Sequence, residues 1–243
     1  MIELKNINKT FNKNAENEVK ALNEITIAFN PKEWTYIIGG NGSGKSTLLK
    51  IINQELTPDK GELLFNEYTK NDLFFVDQTT LKNLVPAMSI YENLIFGLRN
   101  EGIFPNLNFY TQKKYKQKII DILKDFNLGL ENRLDEQVRF LSGGEQQIIV
   151  AARILLSKTK ILLMDEFTSS LDQKWAPFIL QKLKNNVIAN NIMVITVTHD
   201  FSQIESIGDR VIMLKNGRII EDVKQNTFNF TTKSILNLFY EKQ

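Results

Sequence analysis

A glycine-rich run constrains this chain more than any other feature, because it lies between a short apolar segment and a segment of helical pattern. The run, residues 39–47, fits G-x-x-x-x-G-K-[ST], follows the apolar residues 36–38 and leads into the helical residues 46–54. Glycines at these places let the backbone curl so that successive N–H groups point at one polyphosphate. The helix that follows adds the positive end of its dipole. The run therefore predicts a nucleoside triphosphate site between a strand and a helix.

The residue types within the loop predict individual roles. Lys45 is expected to reach the β- and γ-phosphates, and the Ser46 hydroxyl is expected to ligate Mg²⁺. The residues predicted to bind the nucleotide here are Gly39, Asn41, Gly42, Ser43, Gly44, Lys45, Ser46 and Thr47.

Acidic and imidazole side chains follow two other apolar runs. Asp165 and Glu166 come directly after residues 161–164, and His199, the only histidine, comes just after residues 193–197. Open α/β sheets bind ligands at the carboxyl ends of their strands. Asp165 is suited to hold Mg²⁺ through water, and Glu166 to take a proton from the attacking water. His199 is expected to bond the γ-phosphate or that water.

A glutamine occupies a similar position after a third apolar run. Gln78 follows residues 74–76 closely and is expected to sense the metal or the water, with an ordinary polar residue after a strand as the alternative. The predicted catalytic residues are therefore Glu166, His199 and Gln78. The predicted metal ligands are Ser46, Gln78 and Asp165.

The distribution of apolar runs predicts the architecture. Continuous apolar runs indicate strands buried on both faces of a parallel sheet, and they occur at residues 36–38, 74–76, 161–164, 193–197 and 210–214. Residues 2–10 and 19–29 alternate in part, as an antiparallel edge hairpin does. Residues 79–157 contain no convincing strand. Residues 89–99 and 113–126 form helical patterns on either side of a loop at 102–105.

Composition excludes several classes of protein. The chain has no cysteine, which removes disulfide scaffolds and thiolate metal sites, and its net charge of +2 does not favour nucleic acid as a partner. The first residues lack the apolar region of a signal peptide. Since no apolar stretch approaches the ~20 residues of a membrane-spanning helix, any span is expected to come from another chain.

A second pair of glycines opens a strongly apolar helical segment, residues 148–156. Ser142 and Glu145 have the spacing of a helix capping box. That box does not explain Gly143 and Gly144, which offer bare backbone at a helix N-terminus and thus a second anion cradle. One nucleotide does not need two cradles. Two chains that face each other head to tail do, each closing this segment over the other's phosphate loop.

With this segment, the sequence resembles the ATP-binding subunit of ABC (ATP-binding cassette) transporters over residues 2–223. The family motifs occur in family order: the Walker A loop at 39–47, the Q-loop Gln78, the signature at 141–147, the Walker B acids Asp165 and Glu166, the D-loop at 170–172 and the switch His199. Phe11 matches the position of the aromatic residue that stacks on adenine in the family; packing in the edge hairpin is the alternative.

The resemblance implies an α/β fold: a P-loop NTPase (RecA-like) core with an antiparallel β edge and an inserted α-helical subdomain. The whole of residues 1–243 would form one ATP-binding domain, with residues 1–78 and 158–243 as the catalytic core and 79–157 as the helical subdomain.

The resemblance also implies the cofactors and partners. ATP, with Mg²⁺, would lie between the Walker A loop of one subunit and the signature residues of a second, identical subunit. Those signature residues, acting in trans, are Ser142, Gly143, Gly144 and Glu145. The other partners implied are a transmembrane permease and, through the complex, an extracytoplasmic solute-binding protein. The chain would lie peripherally on the cytoplasmic face of the cell membrane.

The sequence departs from the family pattern at several positions. Phe167 stands where proline is usual, Ser170 where alanine or glycine is usual, and Ile148 where arginine is common. The segment of residues 61–78 is shorter than is typical of the family, so the hairpin before Gln78 is expected to be trimmed.

Three functional classes remain open at this stage. Residues 84–94 resemble the stretch that docks a permease coupling helix, although ordinary packing within the subdomain is an alternative. Residues 17–22, 86–94 and 128–134 resemble those of an importer-type bacterial subgroup, which implies an importer of a small solute such as an amino acid. An exporter or lipoprotein-release subunit is the second reading. A soluble ABC ATPase, for example of iron–sulfur assembly, shares the catalytic set.

The C-terminal segment, residues 224–243, contains seven large apolar side chains. A partner-binding amphipathic helix is one interpretation of this pattern. We expect instead that the segment packs on its own domain.

Overall fold

A computed structural model describes residues 1–95, 98, 109–167 and 175–242, with the side chains of 109–114 outside the description. These residues divide into two compact units. The first unit, called the nucleotide unit below, comprises Met1–Phe75, Lys160–Glu166 and Val187–Gln243. The second, the helical unit, comprises Val76–Thr159 and Phe167–Asn186.

The strands of the described chain are four to eleven residues long. In chain order they are β1 Ile2–Phe11, β2 Val19–Phe29, β3 Trp34–Ile38, β4 Lys60–Leu64, β5 Leu73–Val76, β6 Ile161–Asp165, β7 Met193–Val197, β8 Arg210–Lys215 and β9 Arg218–Lys224.

Six of these strands form one sheet in the order β5-β6-β7-β3-β8-β9. β3 pairs in parallel with β7 and with β8, and β6 pairs in parallel with β7. Every residue of β3, β6 and β7 is buried, as their continuous apolar sequences predict. The edge strand β9 runs antiparallel to its neighbour, β8. The sheet therefore delivers the carboxyl ends of β3, β6 and β7 to one edge.

The predicted antiparallel edge is a separate sheet of three strands in the order β2-β1-β4. The hairpin of β1 and β2 is as expected, and β4 adds a strand that the sequence did not predict. β4 lies in this sheet whereas β5 lies in the other. β4 and β5, the two strands that precede Gln78, therefore do not pair with each other as a hairpin.

The described helices include one that overlaps each of the helical patterns predicted at residues 46–54, 89–99, 113–126 and 148–156. They are α1 Lys45–Ile52, α2 Ile90–Ile95, α3 Phe109–Lys124, α4 Gly143–Leu156, α5 Ala176–Asn190, α6 Phe201–Ile207 and α7 Thr232–Lys242. Short 3₁₀ helices occur at Lys70–Asp72, Thr80–Asn83, Leu130–Asn132 and Val138–Phe140. The predicted loop at 102–105, and most of the predicted helix beyond Ile95, lie outside the described residues.

The core of the nucleotide unit joins both sheets to α1. Leu48, Leu49 and Ile52 of α1 pack with Ile37 and Ile195 in one buried cluster. Such burial is the main favourable contribution to the stability of a fold. It fixes α1, and with it the start of the helix at Lys45, against the central strand.

The C-terminal segment packs on its own unit, as expected. Ile235 of α7 is fully buried. The ring of Phe239 lies 5.3 Å from that of Phe201 in α6, measured between centroids. No described helix is both long enough and apolar enough to cross a membrane.

In the helical unit, α2, α3 and α4 pack against one another. The described part of residues 79–157 holds no strand, and Ser89 and Gln137 form an isolated antiparallel bridge there. Ile148, where the family commonly has arginine, is buried in α4. An apolar side chain at that position is therefore part of the core of this unit.

Candidate active site

The loop of residues 39–47 joins β3 to α1 in a conformation that only glycine accepts at two positions. Gly39 has a φ of 152° and Gly44 a φ of 105°. A Cβ added to Gly39 would lie 2.3 Å from the carbonyl oxygen of Leu214, and one added to Gly44 would lie 2.4 Å from that of Ala21. Both distances are far below van der Waals contact. Any residue with a Cβ would therefore collide with the neighbouring backbone at these two positions.

Lys45 is folded into the hollow of this loop. Its ammonium donates hydrogen bonds to the carbonyl oxygens of Gly39 at 2.8 Å and Gly40 at 2.9 Å. The side chain is buried, and burial lowers the pKa of Lys45, while the nearby carboxylates of Glu166 and Asp165 act in the opposite direction. A cation is thus held at the centre of the loop by acceptors that a phosphate oxygen can replace.

Ser43 offers a buried group that suits a polyphosphate. Its hydroxyl oxygen has no hydrogen-bond partner among the described residues. Buried polar groups are nearly always hydrogen-bonded in folded proteins, so this hydroxyl fits a site for a ligand with acceptor oxygens. Asn41, Gly42 and Ser46, in contrast, are exposed on the same loop, and Thr47 is half-buried.

Glu166 and His199 lie together at the carboxyl edge of the six-stranded sheet. The Glu166 carboxylate oxygen Oε1 is 3.2 Å from Nε2 of His199. Glu166 has a φ of 50°, a conformation uncommon for a residue other than glycine, and its N–H donates to the carbonyl oxygen of Val197 at 3.0 Å. The chain therefore leaves β6 in a sharp turn that brings this carboxylate to the end of β7.

Hydrogen bonds to the first turn of α6 fix the loop that carries His199. Asp200 caps that helix by accepting from the N–H of Ser202 at 3.0 Å, and it also accepts from Nε2 of Gln203 at 3.1 Å. The N–H of Asp200 donates to the hydroxyl of Thr198 at 3.0 Å. The residues on both sides of His199 are thus fixed, while its own ring is about half exposed.

The oxygen ligands available here suit a magnesium ion. Asp165, buried at the end of β6, and the exposed hydroxyl of Ser46 are the candidates in the nucleotide unit. The described residues contain no group of three or more His, Cys, Asp or Glu side chains placed to hold a metal. Magnesium is bound in nucleotide sites by one or two protein oxygens together with phosphate oxygens, so this small donor set fits it.

The signature segment in the helical unit forms the capping box that its sequence predicts. The Ser142 hydroxyl accepts from the N–H of Glu145 at 3.3 Å, and the Glu145 carboxylate accepts from the N–H of Ser142 at 2.8 Å. Ser142 and Gly143 are exposed at the start of α4. The N-terminus of α4 is therefore ordered and open.

Arg133 is a residue that the sequence analysis missed. Its guanidinium donates to Glu145 at 2.5 Å, and it binds Glu136 through two hydrogen bonds of 2.7 and 2.8 Å. In the sequence it is a single basic residue among acids, twelve residues from Glu145, and this spacing gives no signal of contact.

The other predicted site residues are placed as follows. Gln78 lies just beyond β5, in the helical unit, and residues 170–172 lie outside the described residues. Phe11 ends β1 opposite Val19 and is half-buried, with the Lys9 ammonium 5.6 Å from its ring centroid. It therefore lies at the end of β1, outside the buried cluster of the hairpin core.

This chain is similar to known proteins of one family. A family model described as ABC transporter matches residues 22–169. The chain is 34% identical over 230 residues to the putative hemin import ATP-binding protein HrtA of Staphylococcus haemolyticus, covering 90% of this chain and 98% of that protein. It is 32% identical over 250 residues to the tyrosine transport ATP-binding protein of Clostridioides difficile, covering 98% of each.

Solved structures agree with the fold. The ATP-binding cassette MJ0796, in a dimeric post-hydrolysis state bound to ADP and Pi, superposes with a TM-score of 0.80 at 30% identity. That match covers 94% of this chain and 100% of that chain. A second dimeric structure of the same cassette gives a TM-score of 0.78 at 31% identity. The predicted α/β fold with a P-loop NTPase core is thereby confirmed.

Proposed function

This chain belongs to the ABC transporter family and is an ATPase, and on that premise we propose that it energises the import of a small solute through a separate membrane permease. The observation that carries the hydrolysis part of the proposal is the pairing of Glu166 with His199 at 3.2 Å, at the sheet edge that also ends in Asp165. Relatives named for the import of hemin and methionine and for the transport of tyrosine support the direction and the size of the cargo.

The phosphate loop would bind ATP through its backbone N–H groups and Lys45. The Lys45 ammonium would exchange the carbonyl oxygens of Gly39 and Gly40 for β- and γ-phosphate oxygens. In both states the ammonium donates hydrogen bonds to oxygen acceptors, which offsets the cost of burying its charge. The half-exposed ring of Phe11 would stack on adenine.

Glu166 would act as the general base. Its carboxylate would orient the attacking water and accept its proton, and His199 would hold the γ-phosphate or the same water. Phosphoryl transfer to water depends mainly on positioning and charge stabilisation, so two groups fixed on adjacent strand ends are suited to it. Ser46 and Asp165, together with Gln78, would hold Mg²⁺, which neutralises phosphate charge when bound.

The working form would be a homodimer. The Walker A loop of each subunit would be completed by the signature residues of the other, which are Ser142, Gly143, Gly144 and Glu145. The open N-terminus of α4, with two glycines and a helix dipole, supports this role. ATP would close the dimer, and hydrolysis would open it.

The helical unit would dock the permease. Residues 84–94 include Val85, which is 41% exposed, and form a loop and helix held by the fully buried Asn93. The Asn93 side chain accepts from the N–H of Val85 at 2.7 Å and donates to the carbonyl oxygen of Ser89 at 3.0 Å. Such a rigid surface suits a coupling helix from a membrane partner. The chain would lie peripherally on the cytoplasmic face, and an extracytoplasmic solute-binding protein would deliver the cargo.

Affinity purification of the Glu166→Gln variant with ATP from its own membranes tests the proposal. We expect an integral membrane protein to co-purify in stoichiometric amount. Glu241→Gln, at an exposed position of α7, is the matched control. Recovery of soluble assembly proteins or nucleic acid in place of a membrane protein would contradict a role in transport.

A further inference from the structure

Arg133 bridges two carboxylates in the helical unit, and its contacts go beyond those of a surface ion pair. Its Nε and one terminal nitrogen bind both oxygens of Glu136, at 2.7 and 2.8 Å. The other terminal nitrogen donates to Oε1 of Glu145 at 2.5 Å. Bidentate contacts of this kind fix a guanidinium in orientation as well as position.

The two oxygens of Glu145 are divided between two tasks. Oε2 accepts from the N–H and the hydroxyl of Ser142, at 2.8 and 2.9 Å, which completes the capping box. Oε1 is left for Arg133. A capping box alone requires only one of these oxygens. The second contact therefore sets the rotation of the Glu145 carboxylate and, through it, of the first turn of α4.

Arg133 is itself fixed because its segment, residues 133–139, forms backbone hydrogen bonds with residues 86–91 of the proposed docking surface. The N–H groups of Ile90 and Tyr91 donate to the carbonyl oxygens of Glu136 and Leu134, both at 2.9 Å. Two further backbone hydrogen bonds, both of 3.0 Å, run in the other direction, from Val138 to Met88 and from Arg139 to Pro86. Residues 133–139 and 86–91 thus form one hydrogen-bonded strap.

We propose that Arg133 is a positioning residue for nucleotide-dependent dimer closure: it joins this strap to the signature through Glu145. The inference rests on the proposed function, in which the signature closes over the nucleotide of a second copy. Without Arg133, Glu145 keeps its cap but loses the contact that orients it, and the strap loses its side-chain connection to α4.

The test uses the Glu166→Gln background, in which hydrolysis is removed and ATP is expected to hold the dimer closed. The dimer fraction is measured by analytical ultracentrifugation as ATP is titrated. We expect Arg133→Gln to raise the ATP concentration for half-maximal dimer roughly tenfold, because a charge-assisted hydrogen bond is lost. Arg133→Lys, which keeps the charge but not the fork, is expected to recover only part of that loss.

Two further readouts separate positioning from a general loss of structure. Binding of a fluorescent ATP analogue to the monomer is expected to be unchanged in Arg133→Gln, since the phosphate loop is intact. Arg218→Gln is the matched control, because it breaks an exposed pair with Glu24 at 3.2 Å and changes the net charge equally. It is expected to leave the titration unchanged.

A double-mutant cycle with Glu145→Gln decides whether the two residues act as one unit. Non-additive effects, with the double variant no worse than the more affected single variant, support the inference. Additive effects, or an Arg133→Gln titration equal to that of the background, overturn it while leaving the dimer in place. If the Glu166→Gln background itself stays monomeric with ATP, the proposed dimer is wrong, and this inference with it.

Discussion

Each of the two predicted anion-binding segments contains a pair of glycines, Gly39 with Gly44 and Gly143 with Gly144. The structure requires glycine at both positions of the first pair and at neither position of the second. Gly39 and Gly44 have positive φ, and an added Cβ at either would lie within 2.4 Å of a backbone oxygen. At Gly143 and Gly144, at the start of α4, an added Cβ would meet nothing within 4 Å in the described part of the chain. The fold thus accounts for the first pair and leaves the second unexplained.

The second pair is explained if its constraint comes from another molecule. In a helix, alanine is more favourable than glycine by about 1 kcal/mol. Gly143 and Gly144 therefore lower the stability of the helix, and no close contact within the described chain requires glycine at these positions. Bare backbone at an exposed helix N-terminus leaves room for an anion to approach closely. The contrast supports a phosphate loop that serves its own nucleotide and a signature that serves the nucleotide of a partner.

The largest effect is expected in the nucleotide unit, at its proposed base. Glu166→Gln removes proton acceptance but leaves the phosphate loop untouched, so turnover should fall by about 10²–10⁴-fold with ATP affinity retained. Phosphate release and equilibrium nucleotide binding measure the two quantities. Glu241→Gln is the control for the loss of one carboxylate. Normal turnover in Glu166→Gln would remove Glu166 from the mechanism.

The next largest effect tests whether the fold requires the first glycine pair. Gly39→Ala forces a Cβ onto the carbonyl oxygen of Leu214, and we expect the free energy of unfolding to fall by about 2–4 kcal/mol. Urea unfolding measures the change. Gly42→Ala is the matched control: its φ is +75°, but the described structure has nothing within 4 Å of the added Cβ. That variant should lose only about 1–2 kcal/mol. Equal losses would exclude the contact with Leu214 as the cause.

A smaller effect is expected at the cap of the signature helix. Ser142→Ala removes the acceptor for the N–H of Glu145 and should lower the free energy of unfolding by about 1 kcal/mol. Ser142→Thr keeps a hydroxyl and should lower it by less. Chemical unfolding distinguishes the two. An alanine variant as stable as the wild type would show that the cap contributes nothing to the fold.

The smallest effect on stability is expected where the fold does not require glycine. Gly143→Ala should change the free energy of unfolding by no more than about 1 kcal/mol, in the stabilising direction. Its ATP turnover should nevertheless fall, because the added methyl group narrows the approach for the partner's nucleotide. Unfolding and phosphate release on the same preparation check this. A variant with unchanged turnover would show that nothing closes on this glycine.

The sequence predicted the strands that have an apolar run or a partial alternation, and it missed β4 and β9. β3, β6 and β7 have continuous apolar sequences because both of their faces are covered. β4 and β9 are partly exposed and polar, so neither an apolar run nor a clean alternation marks them. The order of strands in the six-stranded sheet also follows from packing between distant segments, which local patterns do not encode.

The candidate site was predictable where its chemistry follows the ends of strands. Asp165, Glu166 and His199 were found because parallel strands bring their carboxyl ends to one edge. Arg133 was not found, because its contact with Glu145 depends on the path of an irregular segment. The hydrogen bonds from Lys45 to its own loop were also beyond sequence analysis, since they depend on the curl of the backbone.

The most direct test of the composite site is to mix two inactive variants, Lys45→Ala and Ser142→Arg. The first lacks the phosphate lysine, and the second blocks the signature. If each site combines the loop of one subunit with the signature of the other, each variant alone is inactive. An equimolar mixture then recovers about a quarter of wild-type turnover, since half the dimers are mixed and each has one intact site. A mixture no more active than the mean of the separate variants would contradict the composite site.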